Sequence, residues 1–219
     1  MGATFYAMFI GHMTTVMASI DTASRSYSLK VSAINEFMMA KRVPRATRQR
    51  VHEYFDECCS KQKWFEEDKI LCGLSRNLQI EIMQHCRGQI VGMVPFLKNA
   101  GEAYISAVVL LLEPMACIPG ERIIRVGETE TEMYLIQYGT IDVFLKGTEV
   151  EAAVSLSEGD HFGEIAFLEN RPRNADVVAT TACRVFRLTR EKFMPLLKSH
   201  PSVLSALQRT ARQRLRKAK

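Results

Sequence analysis

Residues 161–180, HFGEIAFLENRPRNADVVAT, bring together a bare backbone position, a carboxylate and a guanidinium, which belong to Gly163, Glu164 and Arg173. A metal site needs clustered histidine, cysteine or carboxylate ligands, and a hydrolase needs a nucleophile beside a base. The segment offers neither arrangement, so we expect neither an enzyme nor a metal centre. Its chemistry suits a small phosphate ester that carries free hydroxyl groups.

Each of these three residues suits one part of such a ligand. A short helical turn beginning at Gly163 and Glu164 would present unpaired N–H groups to a phosphate, and glycine permits close approach of the backbone. Arg173 would neutralise the phosphate charge, and Glu164 would accept a hydrogen bond from a sugar hydroxyl. The alternative is a surface salt bridge between Glu164 and Arg173 with no ligand.

The composition is that of a globular chain in a reducing compartment. The 219 residues are 47% hydrophobic and 24% charged, enough for one sizeable domain with an attached helical segment. The six cysteines include no C-x-x-C pair, and their spacing suits neither zinc ligation nor a disulfide framework. We therefore expect reduced thiols and a cytoplasmic location for the bulk of the chain.

The two ends of the chain differ in charge. Residues 201–219 contain six basic residues and no acid, more than the whole net charge of +5, so the basic pI describes one terminal element and does not predict nucleic-acid binding. This basic tail is expected to be the solvated side of a helix, or to lie near anionic lipid headgroups. Residues 1–20 carry no charge and are long enough to enter a membrane; a buried soluble helix is the alternative.

Before residue 110, apolar residues recur at helical spacing. The first predicted helix has the apolar face Tyr27, Val31, Ile34 and Met38 and ends near Arg42. The second has Pro44 in its first turn and the apolar stripe Val51, Tyr54, Phe55 and Cys58. The third is capped by Ser75 and runs through Leu78, Ile82 and Cys86, and the fourth covers 101–112. Basic residues crowd 41–50 and acidic residues 53–68. These are either solvated faces or complementary contacts between copies in a symmetric oligomer.

After residue 110 the apolar period changes to two, and glycines separate the runs. The predicted strands cover 112–118, 121–126, 132–138, 140–146, 149–156, 175–180 and 183–188. A helix over about 190–198 and another starting with Pro201 follow them. Many short antiparallel strands indicate a jelly-roll or barrel. The predicted fold class is therefore α+β.

Two segments carry a resemblance to the cyclic-nucleotide-binding domain: PGERIIRVGETETEMYLIQYGTIDVF (119–144) and GDHFGEIAFLENRPRNADVVA (159–179). The shared features are a glycine-punctuated β-roll, the Phe-Gly-Glu run at Phe162, a short helix and an arginine. The resemblance implies a phosphate–ribose pocket lined by Gly163, Glu164, Ile165, Ala166, Arg173, Asn174 and Ala175. It also implies that the final helix, through Leu207, Ala211, Arg214, Leu215 and Ala218, folds over the base as a lid.

The resemblance extends upstream. GATFYAMFIGH (2–12) resembles the inner end of the pore-lining helix of hyperpolarization-activated and cyclic-nucleotide-gated channels, and residues 42–71 resemble their C-linker, the helical collar between pore and binding domain. The implied domains are 1–21 as the end of a pore helix, 22–92 as the C-linker and 93–219 as the binding domain. The implied partners are a cyclic nucleotide, the other subunits of a tetramer and, through residues 1–20, the membrane.

Two departures from the channel pattern bear on the ligand. Asn174 replaces the Thr or Ser that follows the arginine, and Asp176 adds negative charge nearby. Together they favour cAMP over cGMP, with no nucleotide as the remaining alternative. The related domain of ether-à-go-go channels works without nucleotide, but it generally lacks the arginine that is present here.

The sequence has no voltage-sensing helix, pore loop or filter such as Thr-Val-Gly-Tyr-Gly, so we expect a piece of a channel. The implied function is the regulatory module of a tetrameric, potassium-type cation channel, in which lid closure is coupled to the pore through the C-linker. A catabolite-activator-like transcription factor is the alternative from another class. That family needs a helix-turn-helix after the long helix, for which residues up to Lys219 leave no room.

Overall fold

The computed structural model describes residues 28–60, 71, 73–98, 100–145 and 152–217. The chain forms two compact units that divide between Trp64 and Phe65. The predicted pore-helix end over 1–21 and the predicted lid residue Ala218 lie outside the described residues. In the ranges that are described, no helix is both long and apolar enough to cross a membrane.

The first unit contains two described helices, α1 over 28–40 and α2 at Arg45–Ser60. Helix α1 ends because Arg42 takes a left-handed conformation with φ of 52°, which lets the Val43 N–H donate back to the Met38 carbonyl at 2.9 Å. Pro44 lies just before α2 rather than in its first turn, and its carbonyl accepts the Arg48 N–H at 3.1 Å.

The second unit begins with two packed helices, α3 at Arg76–Met93 and α4 at Glu102–Leu111. Helix α3 includes the predicted residues Leu78, Ile82 and Cys86, which are exposed, and it runs beyond them. The last two turns of α3 bury Arg87, Ile90 and Val91 instead. The Arg87 Nη1 donates to the Leu112 carbonyl at 2.7 Å, which ties α3 to the end of α4.

Two antiparallel four-stranded sheets follow. Their strands are β1 Glu113–Cys117, β2 Arg122–Ile124, β3 Met133–Tyr138, β4 Ile141–Leu145, β5 Val154–Leu156, β6 His161–Phe162, β7 Ala175–Ala179 and β8 Cys183–Leu188. One sheet has the order β1-β8-β3-β6 and the other β2-β7-β4-β5. The predicted α+β class with an antiparallel β-roll is confirmed. Strand β6 was not predicted, because two residues are too few to show an alternating pattern.

Three more helices complete the unit: α5 Glu164–Glu169, α6 Arg190–Lys198 and α7 Pro201–Lys217. Helix α6 covers the predicted range, and Pro201 begins α7 as expected. Helix α7 buries Val203, Leu207 and Ala211 along one stripe, and it exposes the basic residues Arg209, Arg212 and Arg216. One core joins helical residues to β3 and β8 of the first sheet, and a second core contains residues of both sheets.

Candidate functional site

A short connection between β6 and α5 places Gly163 at the centre of the site. Gly163 has φ of 80°, a left-handed conformation that side chains rarely adopt. A Cβ at this position would lie 2.8 Å from Arg173 Nη1 and 2.9 Å from the Glu132 carbonyl oxygen. Both the backbone conformation and the space therefore require glycine.

Helix α5 holds the residues that follow. Phe167 packs in the core, and Asn170 ends the helix in a left-handed conformation with φ of 54°. The predicted helical turn beginning at Gly163 and Glu164 is thus present. Its first residue, Glu164, is turned into the protein by the same packing.

Arg173 is a buried cation with unused hydrogen-bonding capacity. Its side chain is 4% exposed, and its Nη1 donates to the Gly163 carbonyl at 3.1 Å. Its Nε and Nη2 have no hydrogen-bond partner among the described residues. Burial lowers the pKa of the guanidinium, although nearby Tyr134 and glutamates raise it, and the group stays protonated. A buried charge with free donors is stabilised by an anion.

Glu164 forms an ion pair with Arg214, one of the residues predicted to lie in the lid helix. Its carboxylate is 2% exposed, and Oε2 lies 3.0 Å from Arg214 Nη1 of helix α7. The Arg214 Nη1 also donates to the His161 carbonyl at 2.6 Å. In the described structure Glu164 therefore pairs with Arg214, so the alternative of a surface Glu164–Arg173 salt bridge is wrong. The second oxygen, Oε1, has no partner among the described residues.

These groups line a cavity of about 310 Å³ between α5, α7 and the second sheet. Most of the predicted site residues line it, namely Phe162, Gly163, Glu164, Ile165, Ala166, Arg173, Asn174, Ala175 and Arg214. Leu215 is half-buried and does not line the cavity, and Ala218 is outside the described residues. The cavity size falls at the lower end of the range for small-molecule sites.

The apolar wall of the cavity was not predicted. It consists of Ile124, Val143, Leu145, Ala153, Val154, Leu156 and Val177. The register of the sheet brings them together, because Val143 of β4 lies opposite both Val154 of β5 and Val177 of β7. The alternating pattern indicated that each strand has an apolar side. It did not indicate which strands are neighbours.

Two polar residues near Arg173 have different positions. Asn174 is exposed and lines the cavity. Asp176 does not line it: its Oδ1 accepts the Val126 N–H at 2.7 Å, and its Oδ2 lies 3.3 Å from Arg122 Nη1. The expectation that Asp176 adds negative charge at the phosphate site is wrong, because Arg122 compensates that charge on the other side of β7.

His161 lies behind the cavity and does not line it. It is the first residue of β6, is 2% exposed, and packs edge-on against Phe96 with 5.0 Å between ring centroids. Neither ring nitrogen has a partner among the described residues. Burial lowers the pKa of the imidazole to about 3, and the positive charge of Arg214 acts in the same direction. Within the described ranges, no group of three metal-ligating side chains is present.

Part of the chain matches a known protein family. Residues 114–200 match the cyclic nucleotide-binding domain family, and this match covers strands β1–β8 and helices α5 and α6. The chain therefore carries a cyclic nucleotide-binding domain, and every residue that lines the cavity except Arg214 lies within the matched range.

Among curated proteins, the chain is similar to three channels. It is 36% identical over 217 residues to the potassium/sodium hyperpolarization-activated cyclic nucleotide-gated channel 3 of Mus musculus, covering 99% of this chain and 27% of the relative. It is 36% identical to channel 4 of Homo sapiens and to channel 2 of Mus musculus, covering 98% of this chain and 18% and 24% of those relatives. The chain thus resembles these ion channels, which are not enzymes, but spans about a quarter of their length or less.

Proposed function

We propose that this chain is the nucleotide-sensing regulatory module of a cyclic-nucleotide-regulated cation channel. The observation that carries the proposal is Arg173, a buried guanidinium with two unpartnered nitrogens at the wall of a cavity in a cyclic nucleotide-binding domain. The phosphate would bind at Gly163 and Arg173, since a charge-assisted bond there satisfies the free donors. The ribose hydroxyl would donate to the free Oε1 of Glu164.

The apolar wall of the cavity is suited to contact the purine ring of the nucleotide. Val143, Val154 and Leu156 offer a surface for a flat ring that bears few charges. Asn174, at the exposed rim beside Arg173, is placed to influence the choice of base or phosphate geometry. We propose cAMP as the favoured ligand and cGMP as the weaker one.

Helix α7 would transmit the binding event. Arg214 contacts both Glu164 and the His161 carbonyl, so a ligand that occupies the cavity meets the lid helix directly. A ligand biases a conformational equilibrium by its differential affinity for the two states. We propose that the bias passes to a tetrameric pore through a helical collar over 22–92, with residues 1–21 at the membrane and 93–219 as the sensor.

Nucleotide binding by the purified 219-residue chain tests the proposal. Titration with fluorescent cAMP and fluorescent cGMP is expected to give saturable binding, tighter for cAMP. Arg173→Ala is expected to weaken binding roughly ten- to hundredfold, since it removes a charge-assisted contact of about 1.5–3 kcal/mol.

Arg171→Ala is the matched control. Arg171 lies two positions earlier, its side chain is 74% exposed, and its charge faces Glu169 at 3.5 Å rather than the cavity. Its loss is expected to leave affinity within about twofold, since exposed ion pairs contribute little. If the folded wild-type chain binds neither nucleotide, the sensor proposal is wrong and the module is a nucleotide-independent gating scaffold of the ether-à-go-go kind.

A further inference from the structure

The loop between β2 and β3 carries an acidic run beside Arg173. Residues 127–132 read GETETE, with Glu128, Glu130 and Glu132 at alternate positions. Two backbone hydrogen bonds fasten the loop to the arginine: the Gly127 N–H donates to the Arg173 carbonyl at 2.9 Å, and the Arg173 N–H donates to the Glu128 carbonyl at 2.8 Å. The loop is therefore held at the back of the anion-binding residue.

The carboxylates of the loop also have defined surroundings. Glu128 Oε2 accepts the Arg125 N–H at 3.0 Å, and Glu132 Oε2 accepts the Tyr134 hydroxyl at 2.9 Å. The carbonyl of Glu132 is one of the atoms that would meet a Cβ at Gly163. All three glutamates raise the pKa of the Arg173 guanidinium against the effect of its burial, so their charges act on it.

Only part of this negative charge is compensated nearby. Glu132 has an ion pair with Arg187 at 3.4 Å, and Arg187 is shared with Glu113 at 2.6 Å. Glu128 and Glu130 have no ion-pair partner within the described ranges. The other cation at the cavity, Arg214, is already paired with Glu164. Arg173 is thus the cavity cation that has no ion-pair partner among the described residues, and the charges of Glu128 and Glu130, which have none there either, act on it.

We propose that the loop of Glu128, Glu130 and Glu132 selects the charge of the phosphate group that the cavity accepts. A phosphodiester in a ring carries one negative charge, which Arg173 neutralises. A phosphate monoester, such as the nucleoside 5′-monophosphate left when that ring is opened by hydrolysis, carries nearly two charges above its second pKa of about 6. The loop would repel the second charge. This inference rests on the proposed function and adds a determinant of specificity to the same site.

The proposal predicts how much the affinity for each ligand changes when a loop carboxylate is removed. Coulomb energy is proportional to the charge of the ligand, so removing one loop carboxylate must change the logarithm of affinity about twice as much for a dianion as for a monoanion. For carboxylates near the surface that are screened by salt, a change of about twofold for the cyclic ester and about fourfold for the monoester is expected. Differences in shape between the two ligands cancel, because each variant is compared with the wild type for the same ligand.

Competition against fluorescent cAMP, with cAMP and AMP as competitors at pH 8 and low salt, tests the proposal on the full chain. Glu130→Gln is the first variant, since it preserves size in an exposed side chain. Glu128→Gln combined with Glu130→Gln is expected to improve cAMP binding about fourfold and AMP binding about sixteenfold. Glu191→Gln, an exposed glutamate on α6, makes the same change in net charge away from the loop and is expected to change neither.

The outcomes separate the two proposals. Equal gains for both ligands, no gain, or AMP that still fails to compete in the double variant overturn the role of the loop while leaving the nucleotide sensor intact. A folded wild-type chain that binds no cAMP overturns the sensor and this inference together. Thermal unfolding of each variant checks that it is folded, and Glu130→Lys supplies a second, larger change of charge in the same direction.

Discussion

Glu164 Oε2 lies 3.0 Å from Arg214 Nη1, and this pair joins the floor of the cavity to the last helix. Glu164 is buried by the packing of α5, whereas Arg214 is 28% exposed and reaches in from α7. The same nitrogen of Arg214 donates to the His161 carbonyl at 2.6 Å. Helix α7 is therefore attached to the cavity by an ion pair as well as by its apolar stripe, and the Glu164 carboxylate that lines the cavity belongs to that pair.

Removing Arg214 should destabilise the fold through Glu164. Arg214→Ala leaves a buried carboxylate with no cation, and we expect a loss of about 1–3 kcal/mol in the free energy of unfolding. In the double variant with Glu164→Gln, the loss should be smaller than the sum of the single losses, since neither charge remains unpaired. Urea unfolding measures these differences. Arg209 is exposed on the same helix, and Arg209→Ala, as the control, should change stability by less than about 0.5 kcal/mol. Additive losses for the Glu164 and Arg214 substitutions would contradict the pairing.

Substitution of Gly163 should cost more than substitution of another left-handed glycine. Gly163 and Gly120 have φ of 80° and 78°, but only Gly163 has neighbours where a Cβ would stand. Gly120→Ala should therefore show only the backbone cost of about 1–2 kcal/mol. Gly163→Ala should exceed that value and displace Arg173, because a Cβ would lie 2.8 Å from its Nη1. Equal losses of unfolding free energy in the two variants would show that the close approach carries no cost.

The buried imidazole of His161 predicts a specific loss of stability in acid. Its pKa is lowered to about 3 by burial, whereas an unfolded histidine titrates near 6.5. Between these values the unfolded chain binds a proton that the folded chain does not, so this contribution is complete above pH of about 6.5 and is lost as pH falls toward 3. The expected slope is up to about 1.4 kcal/mol per pH unit.

His161→Phe should remove that slope, since the new ring retains contact with Phe96 and cannot take up a proton. The backbone carbonyl that accepts from Arg214 remains in the variant. Unfolding free energies at pH 7 and pH 5 are the measurement, and His85→Phe, at an exposed histidine of α3, is the control. A wild type and a His161→Phe variant that lose equal stability over this interval would show that His161 accepts its proton without unfolding.

Local signals in the sequence predicted most of the helices and strands of the second unit. They failed for elements that depend on contact with a segment distant along the chain. The period of two identified the long strands, and Pro201 identified the start of α7, since both signals act within a few residues. Strand β6 depends on pairing with β3, where His161 lies opposite Leu135. The exposed stripe of Leu78 and Ile82 shows the same limit, because helical spacing predicts a shared face and does not identify what covers it.

For the candidate site, too, local features could be predicted from the sequence and distant contacts could not. Gly163, Glu164 and Arg173 share one short segment, so their types and spacing indicated a common ligand before any contact was known. The partner of Glu164 could not be obtained from that spacing, because Arg214 lies fifty residues further along the chain. The register of β4 with β5 and β7 likewise determines which apolar residues face the cavity.

Asn174 provides a final test of ligand choice. Its side chain lies at the exposed rim of the cavity, next to Arg173, where the channel pattern has a hydroxyl residue. Asn174→Thr introduces a hydroxyl that can donate to a purine substituent or a phosphate oxygen, and one neutral hydrogen bond contributes about 0.5–1.5 kcal/mol. We expect the affinity for cGMP relative to cAMP to rise roughly two- to tenfold. Valine has a shape similar to threonine but no hydroxyl to donate a hydrogen bond, so Asn174→Val should not produce this rise. Competition of unlabelled cGMP and cAMP against one fluorescent nucleotide measures the ratio, and an equal ratio in the Thr and Val variants would show that shape at the rim, rather than the hydroxyl, determines the preference.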